Sequence, residues 1–556
     1  MERSSAKIRS VYLDHAATTY LRPEVLASME PYFTKYFGNP SAIYEAGRIA
    51  NGAVNDARRT IAGVLHALPE NIIFTSGGTE SDNLAIYGIA HAHEKQGKHI
   101  ISLSIEHHAV LHPLEDLEQQ GFEFTYVKTD KTGLVNVKDV LKAIRPDTIL
   151  ITIMYANNEI GTIEPIAEIG RELLRYRKAN NTSYPYFHTD ACQAAGYLDL
   201  DVEKLHVDLL TLNGSKLYGP KGVGLLYVRR GTQLKPLIVG GAQERRLRAG
   251  TENVPSIVGL AKALELAQKE KEKESRRVAD LRDYLWKKLQ EKIANLHLNG
   301  PELNDQRLPN NLNVTFMDVE GEALLLYLDE HKIMCSTGSA CTSTSLEPSH
   351  VLTSIGLPYE YAHGSLRFTF GHCNTKADVD YVLKYLPKIV SQLREISPVR
   401  LLEKQHAKYK AARWNHMNIK ALLGTIGVVA LLLTGATYVW VKDGANGPEA
   451  NECGEGNVSI YVNNIQESVR RLEQDFKEIN WQITSQDKIV DYKTKLISKG
   501  PVVEIEKLNE IIRAQSTDSI VYGEKTLTLW REDEGLKDCK IYYTDITLTD
   551  VKALQK

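Results

Sequence analysis

Two neighbouring stretches decide the fold: residues 188–196 read H-T-D-A-C-Q-A-A-G, and residues 212–224 read L-N-G-S-K-L-Y-G-P-K-G-V-G. Each contains the end of an apolar, strand-like run, Y-P-Y-F-H-T-D in one case and D-L-L-T-L-N-G-S-K in the other. Asp190 and Lys216 therefore lie at the ends of two predicted strands. In an open α/β sheet, functional groups gather at the carboxyl ends of the strands. The pattern predicts an α/β fold with an acid and a lysine at one edge of the sheet.

The surroundings of Lys216 favour one kind of chemistry. Gly214, Gly219 and Gly222 flank the lysine. A lysine held at a strand end beside a buried acid suits a Schiff base to pyridoxal phosphate (PLP), with Asp190 keeping the pyridine nitrogen protonated. A lysine exposed at the surface would give the same local pattern. Taken alone, the glycines around the lysine favour that simpler interpretation.

Four motifs taken together favour the first interpretation. They are T-S-G-G-T-E-S-D-N at 75–83, H-T-D-A-C-Q at 188–193, S-K-L-Y-G-P-K-G-V-G at 215–224 and S-T-G-S-A-C-T-S at 336–343. Together they resemble cysteine desulfurases of the NifS/IscS type, which are class V aminotransferase-like PLP enzymes of fold type I. The resemblance covers roughly residues 8–395. It implies a large domain with a mostly parallel seven-stranded sheet, followed by a small α+β domain.

The resemblance also implies how PLP is held. The run N-I-I-F-T-S-G-G-T predicts a strand, a glycine turn and a helix start, where free backbone N–H groups form a phosphate site. Gln193 is implied as a donor to the phenolic oxygen of PLP, and Thr251 as a residue that reaches the partner's phosphate in a homodimer. The family commonly reads S-G-H-K where this chain reads N-G-S-K, but Asn213 and Ser215 can still donate hydrogen bonds to a phosphate. The implied cofactor contacts are Gly78, Thr79, Asp190, Gln193, Asn213, Ser215, Lys216 and Thr251.

Three further residues are assigned by the resemblance to the substrate side. His107 follows a predicted strand and is implied to stack on the PLP ring and to transfer protons, because its ring is planar and titrates near neutrality. His108 is the competing candidate. Asn158 matches a position that contacts substrate or cofactor. Arg367 is implied to bind the substrate carboxylate, a task suited to a forked donor, although a surface strand arginine is the simpler interpretation.

Cys341 is the candidate catalytic thiol. It lies among Ser, Thr, Gly and Ala, small residues that expose a thiol, and the segment resembles the branch of the family with a longer loop. The spacing from Cys335 to Cys341 is not a zinc-ligand pattern, so no metal is expected. With Lys216 and His107, Cys341 completes the predicted catalytic set.

The resemblance implies that the chain converts L-cysteine to L-alanine and keeps the sulfur as a persulfide on Cys341. That sulfur would pass to an acceptor, either a scaffold for iron–sulfur cluster assembly or a tRNA-thiolation enzyme. A selenocysteine lyase or another class V PLP lyase is the alternative within this class of enzyme. An inactive PLP fold serving as a membrane-tethered scaffold is the alternative of another class, and the presence of Lys216, Asp190, His107 and Cys341 together argues against it.

Composition agrees with a reducing compartment. The chain has 556 residues and a formal net charge of −3, which gives no overall attraction to nucleic acid. Six cysteines without a paired spacing argue against a disulfide framework. No apolar run follows the first residues, M-E-R-S-S-A-K-I-R, so no signal peptide is expected and the enzyme-like part should be cytoplasmic.

The character of the chain changes after Pro398. A basic stretch at 398–418 leads into a run without charge, and 419–441 is predicted as one transmembrane helix because about 20 apolar residues span a bilayer. Basic residues before this run place the catalytic part inside and the tail outside. A buried core helix, and a misjoined reading frame beginning at Met417, are the alternatives. The predicted domains are 1–260 for PLP binding, 261–397 with the catalytic cysteine, and 442–556, a small α+β domain of unknown function. In the second of these, G-E-A-L-L-L-Y-L-D-E predicts a helix. In the third, I-Q-E-S-V-R-R-L-E-Q-D-F predicts a helix, and K-T-L-T-L-W and C-K-I-Y-Y-T-D-I-T-L-T predict strands.

Overall fold

The computed structural model describes residues 9–337 and 348–396, together with five short strands between 495 and 546. The chain divides into two compact units, 1–411 and 412–556, and each is described by itself. Cys341, the linker at 398–418 and the predicted transmembrane helix at 419–441 lie outside the described residues. Within the described part of the chain, no helix is long and apolar enough to cross a membrane.

A seven-stranded sheet forms the centre of the first unit, in the order β2-β8-β7-β6-β5-β3-β4. Six of the strands run parallel and β8 runs antiparallel between β2 and β7, which confirms the mostly parallel sheet. Strands covered on both faces read as continuous apolar runs, and every residue of β5 and β6 is buried. The strands are β2 (Ile72–Thr75), β3 (His99–Leu103), β4 (Glu123–Val127), β5 (Thr148–Thr152), β6 (Tyr186–Asp190), β7 (Leu209–Asn213) and β8 (Gly224–Val228).

Helices cover both faces of this sheet. Neighbouring residues of β3 point to opposite faces, so Ile101 joins one hydrophobic core and Ile100 joins another. Helices α4 and α5 pack on the Ile100 face, whereas α3, α7 and the first half of α9 contribute to the Ile101 face. The helices up to this point are α1 (Pro23–Met29), α2 (Pro31–Thr34), α3 (Glu45–Leu65), α4 (Gly78–His93), α5 (His108–Glu118), α6 (Val137–Lys142), α7 (Ile166–Ala179), α8 (Val202–Leu205) and α9 (Val254–Lys292).

A second core surrounds a three-stranded antiparallel sheet, β12-β10-β9. Helix α9 joins the two cores, because Leu260 lies in the first core while Val278 and Leu285 lie in the second. The boundary predicted at 260/261 falls inside this continuous helix, and the domain limits stay a prediction. The remaining elements are β1 (Val11–Tyr12), β9 (Leu296–Leu298), β10 (Asn311–Phe316), α10 (Gly321–Glu330), β11 (Ile333–Met334), α11 (His350–Ser354), α12 (Tyr359–Ala362), β12 (Ser365–Thr369) and α13 (Lys376–Ile396).

The N-terminal strand belongs with the second core. Strand β1 pairs in parallel with β11, and Val11 and Leu13 are buried in that core. The residues that follow β1 then run towards the large sheet, where the carbonyls of Ala16 and Ala17 contact Lys216. The first residues of the chain therefore connect the small sheet to the large one.

The second unit contains two antiparallel sheets. One pairs β13 (Lys495–Leu496) with β14 (Val503–Glu504), and the other has the order β15-β16-β17. The latter consists of β15 (Ser519–Tyr522), β16 (Lys525–Arg531) and β17 (Ile541–Ile546). The runs K-T-L-T-L-W and I-Y-Y-T-D-I, predicted as strands, lie in β16 and β17. The predicted helix I-Q-E-S-V-R-R-L-E-Q-D-F lies outside the described residues.

Candidate active site

The candidate site residues gather at one edge of the large sheet. Asp190 ends β6 and Asn213 ends β7, while His107 begins α5 after β3, and Asn158 follows β5. Because these strands are parallel, their carboxyl ends meet at the same edge. Strand β2 runs in the same direction, since β8 is antiparallel to both β2 and β7, so the start of α4 at Gly78 reaches this edge too.

Lys216 contacts the N-terminal segment of the chain. Its Nζ donates hydrogen bonds to the carbonyl oxygens of Ala16 (2.7 Å) and Ala17 (2.6 Å). The side chain of Gln193 donates to the same Ala16 oxygen, at 3.0 Å. Lys216, the predicted Schiff-base lysine, and Gln193, the predicted donor to the phenolic oxygen, therefore meet at one carbonyl.

Asp190 and His107 are both shielded from water. Asp190 is 8% exposed, and its Oδ1 accepts a hydrogen bond from the backbone N–H of Cys192 at 2.8 Å. Burial lowers the pKa of His107, nearby Asp190 acts in the opposite direction, and nearby Lys216 lowers the pKa further. His107 is therefore a neutral imidazole at neutral pH, and it lies within the electrostatic reach of both the acid and the lysine.

The start of α4 offers a site for a phosphate. Gly77 is the N-cap, and the first N–H groups of a helix have no acceptor within the helix. A Cβ added at Gly77 would meet no atom within 4 Å, so open space lies beside this backbone. A Cβ added at Gly78 would instead lie 2.9 Å from the Sγ of Cys192, which explains the need for glycine there. Thr79 is exposed and follows directly.

Asn213 and Ser215 form a small turn next to Lys216. The side-chain oxygen of Asn213 accepts hydrogen bonds from the backbone N–H of Ser215 (3.3 Å) and from its hydroxyl (3.2 Å). This turn carries the chain from the end of β7 to the lysine. A lysine, a buried acid, a neutral histidine ring and an open helix N-terminus together fit PLP, which needs an amine, a partner for its ring nitrogen, a stacking surface and an anion site.

Arg367 lies on the other side of the candidate site, in β12. It is 2% exposed; its Nη1 donates to the carbonyl oxygen of Asn158 at 2.9 Å and its Nη2 to Asp14 Oδ1 at 2.8 Å. Its Nε has no acceptor among the described residues. The family resemblance implies that residues 11–19, V-Y-L-D-H-A-A-T-T, lie along the rim of the site, but it assigns no role to Asp14. The structure identifies Asp14 as the ionic partner of Arg367.

The structure does not bring the remaining candidates and their neighbours into this group of contacts within the described residues. Thr251 is exposed, one residue after Gly250, and Cys341 lies outside the described residues. Burial raises the pKa of the Cys335 thiol, which disfavours a thiolate there. The His108 ring packs against those of His112 and His350, at 4.8 and 4.6 Å between centroids, and burial lowers its pKa to about 4.

Comparison with known proteins places the first unit in a family. Residues 11–382 match the family model for class V aminotransferases. The chain is 52% identical over 391 residues to cysteine desulfurase IscS of Clostridium botulinum, covering 70% of this chain and 97% of the relative. Among solved structures, a NifS-like protein is 37% identical with a TM-score of 0.64, over 69% of this chain and all of that one. The structure described as SspA in complex with cysteine is 39% identical with a TM-score of 0.58, over 65% of this chain and 99% of that one.

These matches cover the residues that form the sheet edge and the Arg367 strand, whereas the family model ends before the second unit. The chain belongs to the cysteine desulfurases, a PLP-dependent family within the class V aminotransferases.

Proposed function

We propose that this protein takes sulfur from L-cysteine, releases L-alanine and carries the sulfur as a persulfide on Cys341. The observation that carries this proposal is the meeting of Lys216 and Gln193 at the Ala16 carbonyl, on the sheet edge that also holds Asp190. The likeness to a desulfurase over almost the whole length of that relative supports the same activity.

The residues at the sheet edge would hold PLP, which when bound supplies an electron sink for charge developed at the substrate α-carbon. Asp190 would keep a proton on the ring nitrogen. The start of α4, with Gly78 and Thr79, and the turn formed by Asn213 and Ser215 would donate hydrogen bonds to the phosphate. Gln193 would donate to the phenolic oxygen.

Proton movements belong to Lys216 and His107. Lys216 Nζ would take the proton from the substrate α-carbon, because a lysine beside the cofactor is within reach of that atom. His107, kept neutral by burial, can accept or return a proton without first losing one to water. Its ring would stack on the cofactor.

The substrate would be held by its carboxylate. Arg367 presents an unpartnered Nε within the described part of the site, and Asn158 is fixed to the same guanidinium through its carbonyl. The Cys341 thiolate would form a sulfur–sulfur bond as the carbon–sulfur bond of cysteine breaks, leaving alanine after protonation. The persulfide would then pass to a scaffold for iron–sulfur assembly or to a tRNA-thiolation enzyme.

Substitution of Cys341 by serine tests this function. The variant should bind PLP and L-cysteine, since Cys341 is not assigned to either, but form no protein persulfide, because a hydroxyl does not accept sulfur as a thiolate does. Persulfide labelling and alanine release are the measurements, with Cys373→Ser as a matched control on an exposed thiol. Wild-type release of alanine and sulfide by Cys341→Ser would refute the assignment. Parallel assays with selenocysteine separate a desulfurase from a selenocysteine lyase.

We further propose that two copies of the chain form a homodimer in which Thr251 reaches the phosphate site of the partner. Large apolar side chains with no cover support an interface: Phe37, Ile43, Tyr44 and Val239 are each at least 60% exposed. Exposed apolar patches of this kind mark contact surfaces. Sedimentation should give twice the mass of the chain, and a fully active monomer would contradict the proposal.

We propose also that residues 419–441 anchor the enzyme in a membrane, with the catalytic unit on the cytoplasmic side. The support is the sequence itself, because residues 421–441 carry no charge over a length that spans a bilayer.

A further inference from the structure

Asp14 holds Arg367 from a segment far away in the chain. The two residues are 353 positions apart, and their side chains are only 17% and 3% exposed. The neighbouring backbone is fixed to the same strand, because the N–H of Ala16 donates to Thr369 Oγ1 at 2.9 Å. The segment that carries Asp14 is therefore attached to β12 at Arg367 itself and at Thr369.

The contacts of the guanidinium leave one edge for a ligand. A guanidinium has five N–H groups in a rigid plane. One on Nη2 donates to Asp14 and one on Nη1 donates to the Asn158 carbonyl, and these two bonds fix the rotation of the plane. The Nε–H has no acceptor in the described part of the chain. A carboxylate that approaches the Nε edge would meet donors already in position.

The same segment limits the distance between Arg367 and Lys216, because both side chains contact it. Lys216 Nζ binds the carbonyls of Ala16 and Ala17, two and three residues after Asp14. A chain of three residues spans at most about 10 Å. An α-amino acid presents its carboxylate and its amine from one carbon, so the two groups that would meet it, Arg367 and Lys216, need to lie close together, as their shared contact with residues 14–17 allows.

We propose that Asp14 is a positioning residue that turns the Nε edge of Arg367 towards the α-carboxylate of the substrate. The inference rests on the proposed function, in which Arg367 binds that carboxylate. In the alternative, Asp14 competes with the substrate carboxylate for the guanidinium of Arg367. The two roles predict opposite changes in affinity when the charge on Asp14 is removed.

The test is Asp14→Asn in the full-length, PLP-loaded enzyme. We expect the KM for L-cysteine to rise about tenfold and kcat to change less than about twofold, because a contact to the carboxylate is kept from ground state to transition state. The inhibition constant of L-alanine should rise by a similar factor. That of ethylamine, which lacks the carboxylate, should not change. A purely structural defect would weaken both inhibitors.

Two further variants complete the design. Glu24→Gln removes another carboxylate of the N-terminal region, one that pairs with Arg22 at the surface, and should leave both inhibition constants at wild-type values. Asp14→Glu keeps the charge but lengthens the side chain, and we expect a smaller rise in KM, about threefold. If Asp14→Asn does not retain PLP, Asp14→Glu decides the question, and a wild-type KM in that variant overturns the proposal.

The variant Arg367→Lys distinguishes a failure of this proposal from a failure of the proposed function on which it rests. If Arg367→Lys raises the KM and Asp14→Asn leaves it unchanged or lowers it, the positioning role is wrong while the carboxylate site stands. If Arg367→Lys itself leaves the KM and the L-alanine constant unchanged, Arg367 does not bind the carboxylate and the proposed substrate site fails.

Discussion

Lys216 carries the proposed covalent chemistry, and its neighbour Lys221 provides a control. Lys216→Ala should lose the visible absorption of lysine-linked PLP, because its Nζ is the amine held at the sheet edge near Asp190 and His107. Alanine release should fall by at least about a hundredfold, since proton transfer by a positioned side chain contributes that much. Absorption spectra and alanine assays measure both effects.

Lys221 lies in the same glycine-rich loop, but its Nζ donates to the Thr19 carbonyl at 2.6 Å. Lys221→Ala should therefore keep the absorption band. A band that survived in Lys216→Ala but not in Lys221→Ala would reverse the assignment.

Site residues that belong to a local sequence pattern could be predicted from the sequence. Contacts between residues that are distant in the chain could not. Lys216 and Asp190 each end a strand-like run, so their shared edge follows from the rule for parallel sheets. The role of Asp14 was not predicted, because its partner Arg367 lies 353 positions away and a single sequence gives no indication that the two residues are in contact. An aspartate directly after an apolar run was the only available clue.

At the scale of elements, apolar runs predicted strands and helices well. The run G-E-A-L-L-L-Y-L-D-E, predicted as a helix, is α10. The antiparallel direction of β8 has a physical reason in the short connection before it: residues 214–223 are too few for a crossover to a parallel strand, which takes a dozen residues or more. The order of the strands in the sheet, by contrast, depends on packing between distant elements, so it cannot be predicted from any single apolar run.

His188 ties three strands of the sheet together. Its Nδ1 hydrogen-bonds to Thr152 on β5 at 2.9 Å, and its Nε2 to Thr211 on β7 at 3.0 Å. Burial lowers the pKa of His188 to about 4. The unfolded chain, with a histidine pKa of about 6.5, therefore binds a proton that the folded protein excludes over this range. Stability should fall as the pH drops from about 6.5 towards 4.

His188→Gln isolates this contribution. Glutamine can form one of the two hydrogen bonds to threonine, but it does not titrate. The free energy of unfolding of the variant should therefore decrease less steeply on acidification than that of the wild type, by up to about 1.4 kcal/mol per pH unit. Chemical unfolding of wild type and variant at pH 7, 6 and 5 measures the difference. His66→Gln, on an exposed ring, is the control. Identical pH slopes for wild type and His188→Gln would show that His188 does not carry the effect.

At the scale of the whole molecule, the match to the family model ends before the second unit begins. The family model ends at 382, whereas the second unit runs from 412 to 556. The apolar run at 421–441 falls within the residue range of the second unit. Its length, and the charges on each side of it, allow a prediction about topology that is independent of the catalytic fold.

Basic side chains crowd the N-terminal flank of the run, whereas a single lysine and then acidic residues follow it: Lys408, Lys410, Arg413 and Lys420 come before, and Lys442, Asp443, Glu449, Glu452 and Glu455 come after. Basic residues within about 15–20 positions of a span mark its cytoplasmic side. The catalytic unit would then lie where a thiol such as Cys341 stays reduced, and Cys453 and Cys539 would lie where they can pair.

We therefore expect the full-length chain to resist extraction from membranes at alkaline pH, and protease added to intact spheroplasts of an expressing bacterium to remove the tail while leaving the PLP-binding part whole. A chain that ends before residue 398 should be released from the membrane and stay active, which provides the matched control. Protection of the tail in sealed spheroplasts would reverse the orientation, because only a segment on the inner side escapes the protease. Release of the full-length chain at alkaline pH would refute the span itself, since a peripheral segment is held by charge and a spanning helix by the hydrophobic effect.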